Sequence, residues 1–213
     1  MEILKGLDDR LAFIRFFYFT ASEPFELIRR EYIRGKGPSD DDGPDQFDEW
    51  QRATKGLEVV GQCSVSLVAK AIEDYLRQFV LRQAGKMPSL SGKSSFERYE
   101  KFLLTNTAFN WRACPIGRDR IEQINLCRND FQHDPSIDSD QPKQTDQHFQ
   151  KYPSSRFQDP LERAILMAVA ETDGKDFKDA PASLTVTRAG FLSAMADARR
   201  FCEFVEAQRT NKP

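Results

Sequence analysis

Apolar residues recur at every third or fourth position along most of the chain, which is the spacing of one buried helical face. The first stripe of this kind consists of Leu4, Leu7, Leu11, Ile14 and either Phe17 or Tyr18. A second, short helix is predicted from Ser22 to Tyr32, because Ser22 is a suitable N-cap and Pro24 would then stand in the first turn. Gly35 and Gly37 are expected to end that helix.

The longest periodic stretch covers residues 47–83 and predicts one long bent helix. Two shorter helices that separate near Gly56 or Gly61 are the alternative. In either case Gly85 and Pro88 should end the helical structure, because glycine and proline stop helices efficiently.

The second half of the chain predicts three further long helices, over residues 96–103, 117–133 and 188–207. Ser94 should introduce the first, and Pro135 should end the second, because a proline disfavours the helical conformation of the preceding residue. Residues 183–187 read as a brief strand or as an extended segment that leads into the last helix, with Thr187 as its cap.

Residues 134–160 are rich in Asp, Ser, Gln and Pro and predict a long exposed loop, followed by a short apolar helix over residues 161–170. Strand candidates are few, so the predicted fold class is all-α. We expect an up-and-down helical bundle with a single core over residues 46–210, and a helical extension over residues 1–45 packed on it.

Composition narrows the class of protein. Of the 213 residues, 39% are hydrophobic and 30% are charged, which suits a folded core under a charged surface. A net charge of −2 argues against indiscriminate nucleic-acid binding. The four cysteines are far apart, which excludes a zinc knuckle and fits reduced thiols. The acids of residues 40–49 lack the spacing of a calcium-binding loop. We expect a cytoplasmic protein that needs neither membrane, metal nor cofactor.

The predicted helix 117–133 carries the candidate chemistry. Arg128 falls inside its apolar stripe, where a guanidinium is costly unless it finds a partner, an interface or an anionic ligand. A polar row runs beside that stripe and consists of Glu122, Asn125, Asn129 and His133. On one straight helix Arg128 and His133 point about 140° apart, so their joint action requires a long side chain or a second subunit.

The segment from Arg128 through Asn129 to His133 resembles the R-x(4–6)-H signature of the HEPN superfamily, and the order of helices over residues 47–207 is similar. The resemblance implies a homodimeric, metal-independent endoribonuclease, often a toxin or antiphage effector with an antitoxin or another defence partner. It implies that motif helices face each other, that His133 acts as general acid or base, and that Arg128 stabilises the phosphoryl charge. Asn129 would orient His133, with Asn125 and Glu122 in support.

Charge near the motif gives a candidate RNA surface. Residues 81–130 contain nine basic and five acidic side chains, in a chain with a small negative charge. The basic residues that we assign to this surface are Lys93, Arg98, Lys101, Arg112, Arg118 and Arg120. The alternative is that they form ordinary solvated helix faces.

Other interpretations of the same residues stay open. Arg128 could pair with Glu122 or Glu73, while His133 meets the negative end of its own helix. The alternative function is a catalytically inactive HEPN-like module that binds RNA, a nucleotide or a protein partner. Cys127 is either a thiol with a lowered pKa beside Arg128 or a small buried hydrophobe.

Aromatic residues raise a second open question. The first helix carries Phe13, Phe16, Phe17 and Phe19, which is more than one core face needs. They serve a subunit interface, as in a purely structural helical adaptor, or fold back onto the bundle. Trp50 and Trp111 are interpreted as packing anchors rather than base-stacking platforms.

Overall fold

The computed structural model describes residues 2–36, 45–92, 94–133, 151–152, 156–157 and 184–209, and in this part all regular structure is helical. The α-helices are α1 (Glu2–Glu31), α2 (Asp45–Ala84), α3 (Ser95–Asn106), α4 (Arg118–His133) and α5 (Arg188–Ala207), with a π-helical turn at Tyr32–Lys36 after α1. The predicted all-α bundle is therefore confirmed.

Helix α1 runs without interruption through Pro24, so the predicted second helix with Ser22 as its N-cap is wrong. Ser22 is instead a buried residue inside α1, and its hydroxyl donates to the carbonyl of Phe19 at 3.4 Å. A proline inside a helix costs about 3 kcal/mol. The apolar stripe of α1, which continues from Ile3 to Tyr18 against the core, stabilises the helix enough to offset this cost.

Helix α2 is one helix of 40 residues, as predicted, and Gly85 follows it with a φ of +72°. The two glycines that suggested a break are places of close packing. A Cβ at Gly61 would lie 2.7 Å from the carbonyl oxygen of Val186, and one at Gly56 would lie 2.6 Å from the ring of Phe25. Gly61 needs a residue without a side chain because backbone occupies that space, whereas a side chain at Gly56 would require the Phe25 ring to move.

Helices α1 and α2 are antiparallel. Glu2 pairs with Arg82 at one end of the two helices, and Phe25 contacts Gly56 towards the other. Beyond that point the π-helical turn continues the pair, and its Tyr32 stacks on Trp50 with a ring separation of 5.4 Å. The first turn of α5 lies beside Tyr18 of α1, since the rings of Tyr18 and Phe191 stack with their centroids 4.2 Å apart.

One hydrophobic core joins all five helices. It contains apolar residues from α1 (Leu7, Leu11), α2 (Ile72, Phe79), α3 (Phe102, Leu103), α4 (Ile121, Ile124) and α5 (Phe201, Val205). Helix α4 packs on α2 and α5, and α1 packs on the same two helices. Because α1 supplies core residues, it is packed on the bundle as expected for the N-terminal extension, while the boundary at residue 45 stays a prediction.

Two short pieces of chain outside the helices, residues 156–157 and 184–187, meet on the bundle. The amide of Thr185 donates to the carbonyl of Phe157 at 2.8 Å, and the side chain of Gln62 donates to the carbonyl of Leu184 at 2.8 Å. Phe157 is fully buried, so the prediction that residues 134–160 are exposed throughout is wrong at this position. The remainder of that loop, apart from residues 151–152 and 156, lies outside the described residues, as does the predicted helix 161–170.

The predicted helix starts at Ser94 and Thr187 are confirmed. The hydroxyl of Ser94 accepts from the amide of Glu97 at 3.1 Å, and that of Thr187 accepts from the amide of Gly190 at 3.1 Å. Residues 184–187 form an extended lead-in rather than a strand. Every helix in the described part of the chain is too short or too polar to cross a bilayer.

Candidate functional site

The predicted motif lies on α4, whose apolar stripe is buried as expected. Ile121, Ile124 and Cys127 are fully buried between α2 and α5. The buried face is wider than the sequence suggested, because Gln123 and Asp130 are also buried, at 7% and 1% exposure. Arg128 therefore lies at the edge of this face rather than in the middle of it.

Arg128 forms an ion pair with Glu73 of α2. Its Nη1 donates to Oε2 of Glu73 at 2.7 Å, and each side chain is 22% exposed. This is one of the two pairings that the sequence left open, and it satisfies the need of a cation on a packing face for a partner. The exposed fraction leaves part of the guanidinium open to solvent.

Further basic side chains surround Glu73. Lys70 lies 3.8 Å from Glu73 and 3.0 Å from Asp74, which also pairs with Arg10. Burial and then the charge of Glu73 raise the pKa of Tyr99, a residue of α3 that faces this region, while positive charges oppose that rise. Lys70 and Arg128 lie at Glu73, and the charges of Arg77 and Arg98 act on the nearby Tyr99. We name these five residues the Glu73 patch: Lys70, Glu73, Arg77, Arg98 and Arg128.

The Glu73 patch has four basic residues and one acidic residue, and Lys70, Arg77 and Arg98 are exposed. Asp74 adds a second acid at its edge, but Arg10 and Lys70 already contact that carboxylate. The local excess of positive charge is what a phosphate-binding surface requires.

His133 is the last residue of α4, five positions after Arg128. Its side chain lies outside the described part of the structure. Five helical residues separate the two Cα atoms by about 8–9 Å. Asn129 is half-buried, and the Asn125 side chain donates to the carbonyl of Ile121 at 2.9 Å. Asn125 is thus bonded to its own helix.

Glu122 lies in a separate cluster towards the other end of α4. It accepts hydrogen bonds from Arg118, from Lys151 and, at 2.6 Å, from the hydroxyl of Tyr152. Burial alone would raise the pKa of Glu122, but hydrogen bonds from Lys151 and Tyr152 and the charge of Arg118 lower it below its usual value. Glu122 therefore anchors residues 151–152 to α4, and the described contacts do not bring it to Arg128.

Two arginines of the predicted RNA surface are held in ion pairs. Arg118 donates to both oxygens of Glu100, at 2.5 and 2.9 Å, and these bonds raise the pKa of its guanidinium. Arg120 donates to Asp197 at 2.9 Å and to Ser193 at 2.9 Å. A partnered guanidinium is less available to a phosphate, so both arginines contribute mainly to the fold.

The other members of that predicted surface differ in their placement. Arg112 and Lys101 are exposed, and Lys101 donates to the hydroxyl of Ser91 at 2.9 Å. Lys93 lies outside the described residues. The six positions thus do not form one continuous surface in the described part of the chain.

Asp197 was not singled out from the sequence, yet it joins three parts of the chain. This carboxylate of α5 is 4% exposed. It accepts hydrogen bonds from Arg120 of α4 and from Arg156, which lies outside the helices. The main-chain amide of Arg156 also donates to the side chain of Gln123 at 3.1 Å. An acid within the apolar stripe of the last helix was the available signal, because such a residue needs partners.

Cys127 is a small buried hydrophobe. It is fully buried, and desolvation, followed by the charge of Asp130, raises the pKa of its thiol far above the usual value. The alternative of a reactive thiol with a lowered pKa is wrong, because burial outweighs the nearby positive charge of Arg156. The interpretation of Trp111 as a packing anchor is confirmed, since it stacks on Phe201 at 5.5 Å.

Comparison with protein families, with curated proteins and with solved structures gives no match to this chain. The HEPN interpretation therefore depends on the motif of α4 and its surroundings alone.

Proposed function

We propose that this chain is a metal-independent endoribonuclease of the HEPN type, acting as a toxin or antiphage effector. Arg128 binds the scissile phosphate, and His133 moves protons at the reacting oxygens. The observation that carries this proposal is the position of Arg128, which pairs with Glu73, is partly open to solvent and shares that carboxylate with the exposed Lys70.

The arginine fork suits this role. Glu73 takes the hydrogen bond of one terminal nitrogen, Nη1, and so fixes the plane of the guanidinium. A planar group with several parallel donors can then present its remaining N–H groups to phosphate oxygens. Lys70, Arg77 and Arg98 attract the polyanion to the same surface.

The reaction uses the RNA's own 2′-hydroxyl. A base removes the 2′-hydroxyl proton, the 2′-oxygen attacks the adjacent phosphorus, and the 5′-oxygen leaves with a proton from an acid. The products are a 2′,3′-cyclic phosphate and a 5′-hydroxyl. Histidine suits both steps because its ordinary pKa lies near neutrality. Arg128 stabilises the charge that gathers on the phosphoryl oxygens.

A homodimer in which the α4 helices face each other would supply both groups at one phosphate. In that arrangement Arg128 of one protomer serves the cleft that contains His133 of the partner subunit, which removes the difficulty of their 140° separation on one helix. Two such histidines also provide one base and one acid for the two proton transfers.

RNA cleavage in EDTA tests the proposal. We expect the wild type to produce 2′,3′-cyclic ends, and His133→Ala and Arg128→Ala to lose at least about a hundredfold in rate, as for loss of an acid–base or charge-stabilising group. His148→Ala is the control, because His148 is the other histidine of the chain and should be dispensable. Circular dichroism should show unchanged folding.

Two outcomes contradict the proposal. Full activity of folded His133→Ala would exclude this histidine from the chemistry. Absence of cleavage by the wild type, together with RNA binding that Arg128→Ala weakens, would identify the inactive binding module instead.

A further inference from the structure

The outer face of α1 exposes large apolar side chains. Phe13, Phe16 and Leu27 are 63%, 67% and 52% exposed. They lie on the side of the helix opposite the buried stripe, which consists of Ile3, Leu7, Leu11, Ile14, Tyr18 and Ser22. Phe19 packs against the core, as the fold-back alternative requires, whereas Phe13 and Phe16 point away from it. Exposed apolar rows of this kind commonly mark interaction sites.

The exposed positions of this face repeat at alternating intervals of four and three residues, the spacing at which helices pair. This row is named the outer stripe and consists of Glu2, Gly6, Asp9, Phe13, Phe16, Thr20, Glu23 and Leu27. Its spacing is identical when read from either end. A reversed copy of α1 therefore places every member of the stripe opposite another member.

We propose that a second copy of this chain binds along the outer stripe, with the two α1 helices antiparallel and the twofold axis between residues 14 and 15. In this register Phe13 faces Phe16 of the partner subunit, and Phe16 faces the partner's Phe13. Asp9 faces the partner's Thr20, whose hydroxyl can donate to the carboxylate. The apolar centre and polar ends match the usual anatomy of an interface.

Charge favours this orientation over the parallel one. In the antiparallel register Glu23 comes beside Lys5 of the partner subunit, on each side of the axis. A parallel pair in register would instead place Asp9 against the partner's Asp9 and Glu23 against the partner's Glu23. Like charges at such positions oppose pairing.

A shallow groove beside the stripe enlarges the contact surface. It lies between α1 and α5, and its apolar lining includes Leu11, Phe16 and Met195. Three charged residues, Asp8, Arg15 and Arg199, also line it. Burying the exposed parts of two phenylalanines from each copy removes about 500 Å² from solvent. This is about half of the ~1,000 Å² that a specific interface needs, and the groove, Thr20 and Leu27 supply further surface.

This pairing uses a different face from the α4 pairing of the proposed function, and it does not depend on that function. Analytical ultracentrifugation of the full chain at protein concentrations between about 1 and about 300 µM tests the α1 pairing. This range brackets the dissociation constant expected of a modest interface. We expect a reversible dimer whose dissociation constant rises at least about tenfold in Phe13→Asp and in Phe16→Asp. Leu104→Asp is the control, because Leu104 is 51% exposed on α3.

A charge exchange tests the register. Lys5→Glu and Glu23→Lys should each weaken the dimer, and the double variant should restore it, because the pair then has opposite charges again. Failure of this restoration would exclude the antiparallel register.

Three results would overturn the proposal as a whole. One is a wild type that stays monomeric throughout the range. Another is a dimer that the Phe16→Asp variant retains, which would place the pairing on another face such as α4. The third is a monomer that Phe16→Asp destabilises, which would show that another part of the same chain covers the stripe.

Discussion

Replacement of Glu73 by glutamine should strengthen RNA binding. The amide oxygen of glutamine can still accept the hydrogen bond from Nη1 of Arg128, so the guanidinium keeps its orientation. The change removes one negative charge from the patch where we place the phosphate. If Arg128 binds the RNA, the affinity of the protein for RNA must therefore depend on the charge of residue 73.

The size of the effect follows from Coulomb's law. A phosphate bound to the open side of Arg128 lies about 6 Å from the Glu73 carboxylate. The repulsion is then about 0.7 kcal/mol at the dielectric constant of water and about 2.8 kcal/mol at an effective value of 20. Because both side chains are 22% exposed, a value of about 1 kcal/mol is appropriate, which corresponds to about fivefold tighter binding.

The assay is fluorescence anisotropy of a labelled single-stranded RNA, with His133→Ala in every variant so that the RNA stays intact. Asp74→Asn is the matched control, because it removes the same charge one residue later on α2. That carboxylate contacts Arg10 and Lys70 rather than Arg128. We expect its effect to stay below about twofold at low salt, and both effects to shrink as salt rises.

Two results would refute this reasoning. Equal effects of Glu73→Gln and Asp74→Asn would show that only the general charge of the surface matters. Weaker RNA binding by a folded Glu73→Gln variant would show that Arg128 needs the charge of Glu73 and does not itself receive the phosphate.

Three further predictions concern the fold. Gly61→Ala should lower the free energy of unfolding by about 1–3 kcal/mol in urea titrations, because its Cβ would lie 2.7 Å from the Val186 carbonyl oxygen. Gly6→Ala, which meets nothing within 4 Å, should instead raise it by up to about 1 kcal/mol. The pKa of Glu122 is lower in the folded protein than in the unfolded chain, so the unfolded chain binds the proton first as the pH falls. Below about pH 4.5 the wild type should therefore lose more stability than the Glu122→Gln variant, which has no carboxyl group at this position. Equal acid sensitivity would contradict this assignment. Iodoacetamide should leave the buried Cys127 unmodified until denaturant is added, as mass spectrometry would show.

Local pattern was sufficient to predict α4 and the starts of α3 and α5. A strong apolar period, a cap such as Ser94 and a proline after the helix all act over a few residues. Pro24 shows where such reasoning fails. Its local preference is for a helix start, but the buried stripe that α1 presents to the rest of the bundle outweighs that preference.

The candidate site was likewise predictable only where local sequence pattern decides the structure. The apolar stripe of α4 showed that Arg128 needs a partner, and the sequence named Glu73 as one of two candidates. The choice between Glu73 and Glu122 depends on how α2 lies against α4, which joins residues 55 positions apart. The bonds of Asp197 to Arg120 and Arg156 likewise depend on how distant segments meet.

The two tryptophans are both half-buried but pack in different parts of the molecule. Trp111 stacks on Phe201 in the core, whereas Trp50 stacks on Tyr32 where α1 and α2 continue beyond the start of α5. Structure supported by fewer neighbours opens at a lower free energy than the core does. The fluorescence of Trp50 can be observed alone in a Trp111→Phe variant, and that of Trp111 in a Trp50→Phe variant. On heating, the emission of Trp50 should change at a lower temperature than that of Trp111. Trp50 would then report the fraying of this end of the bundle, and Trp111 would report global unfolding.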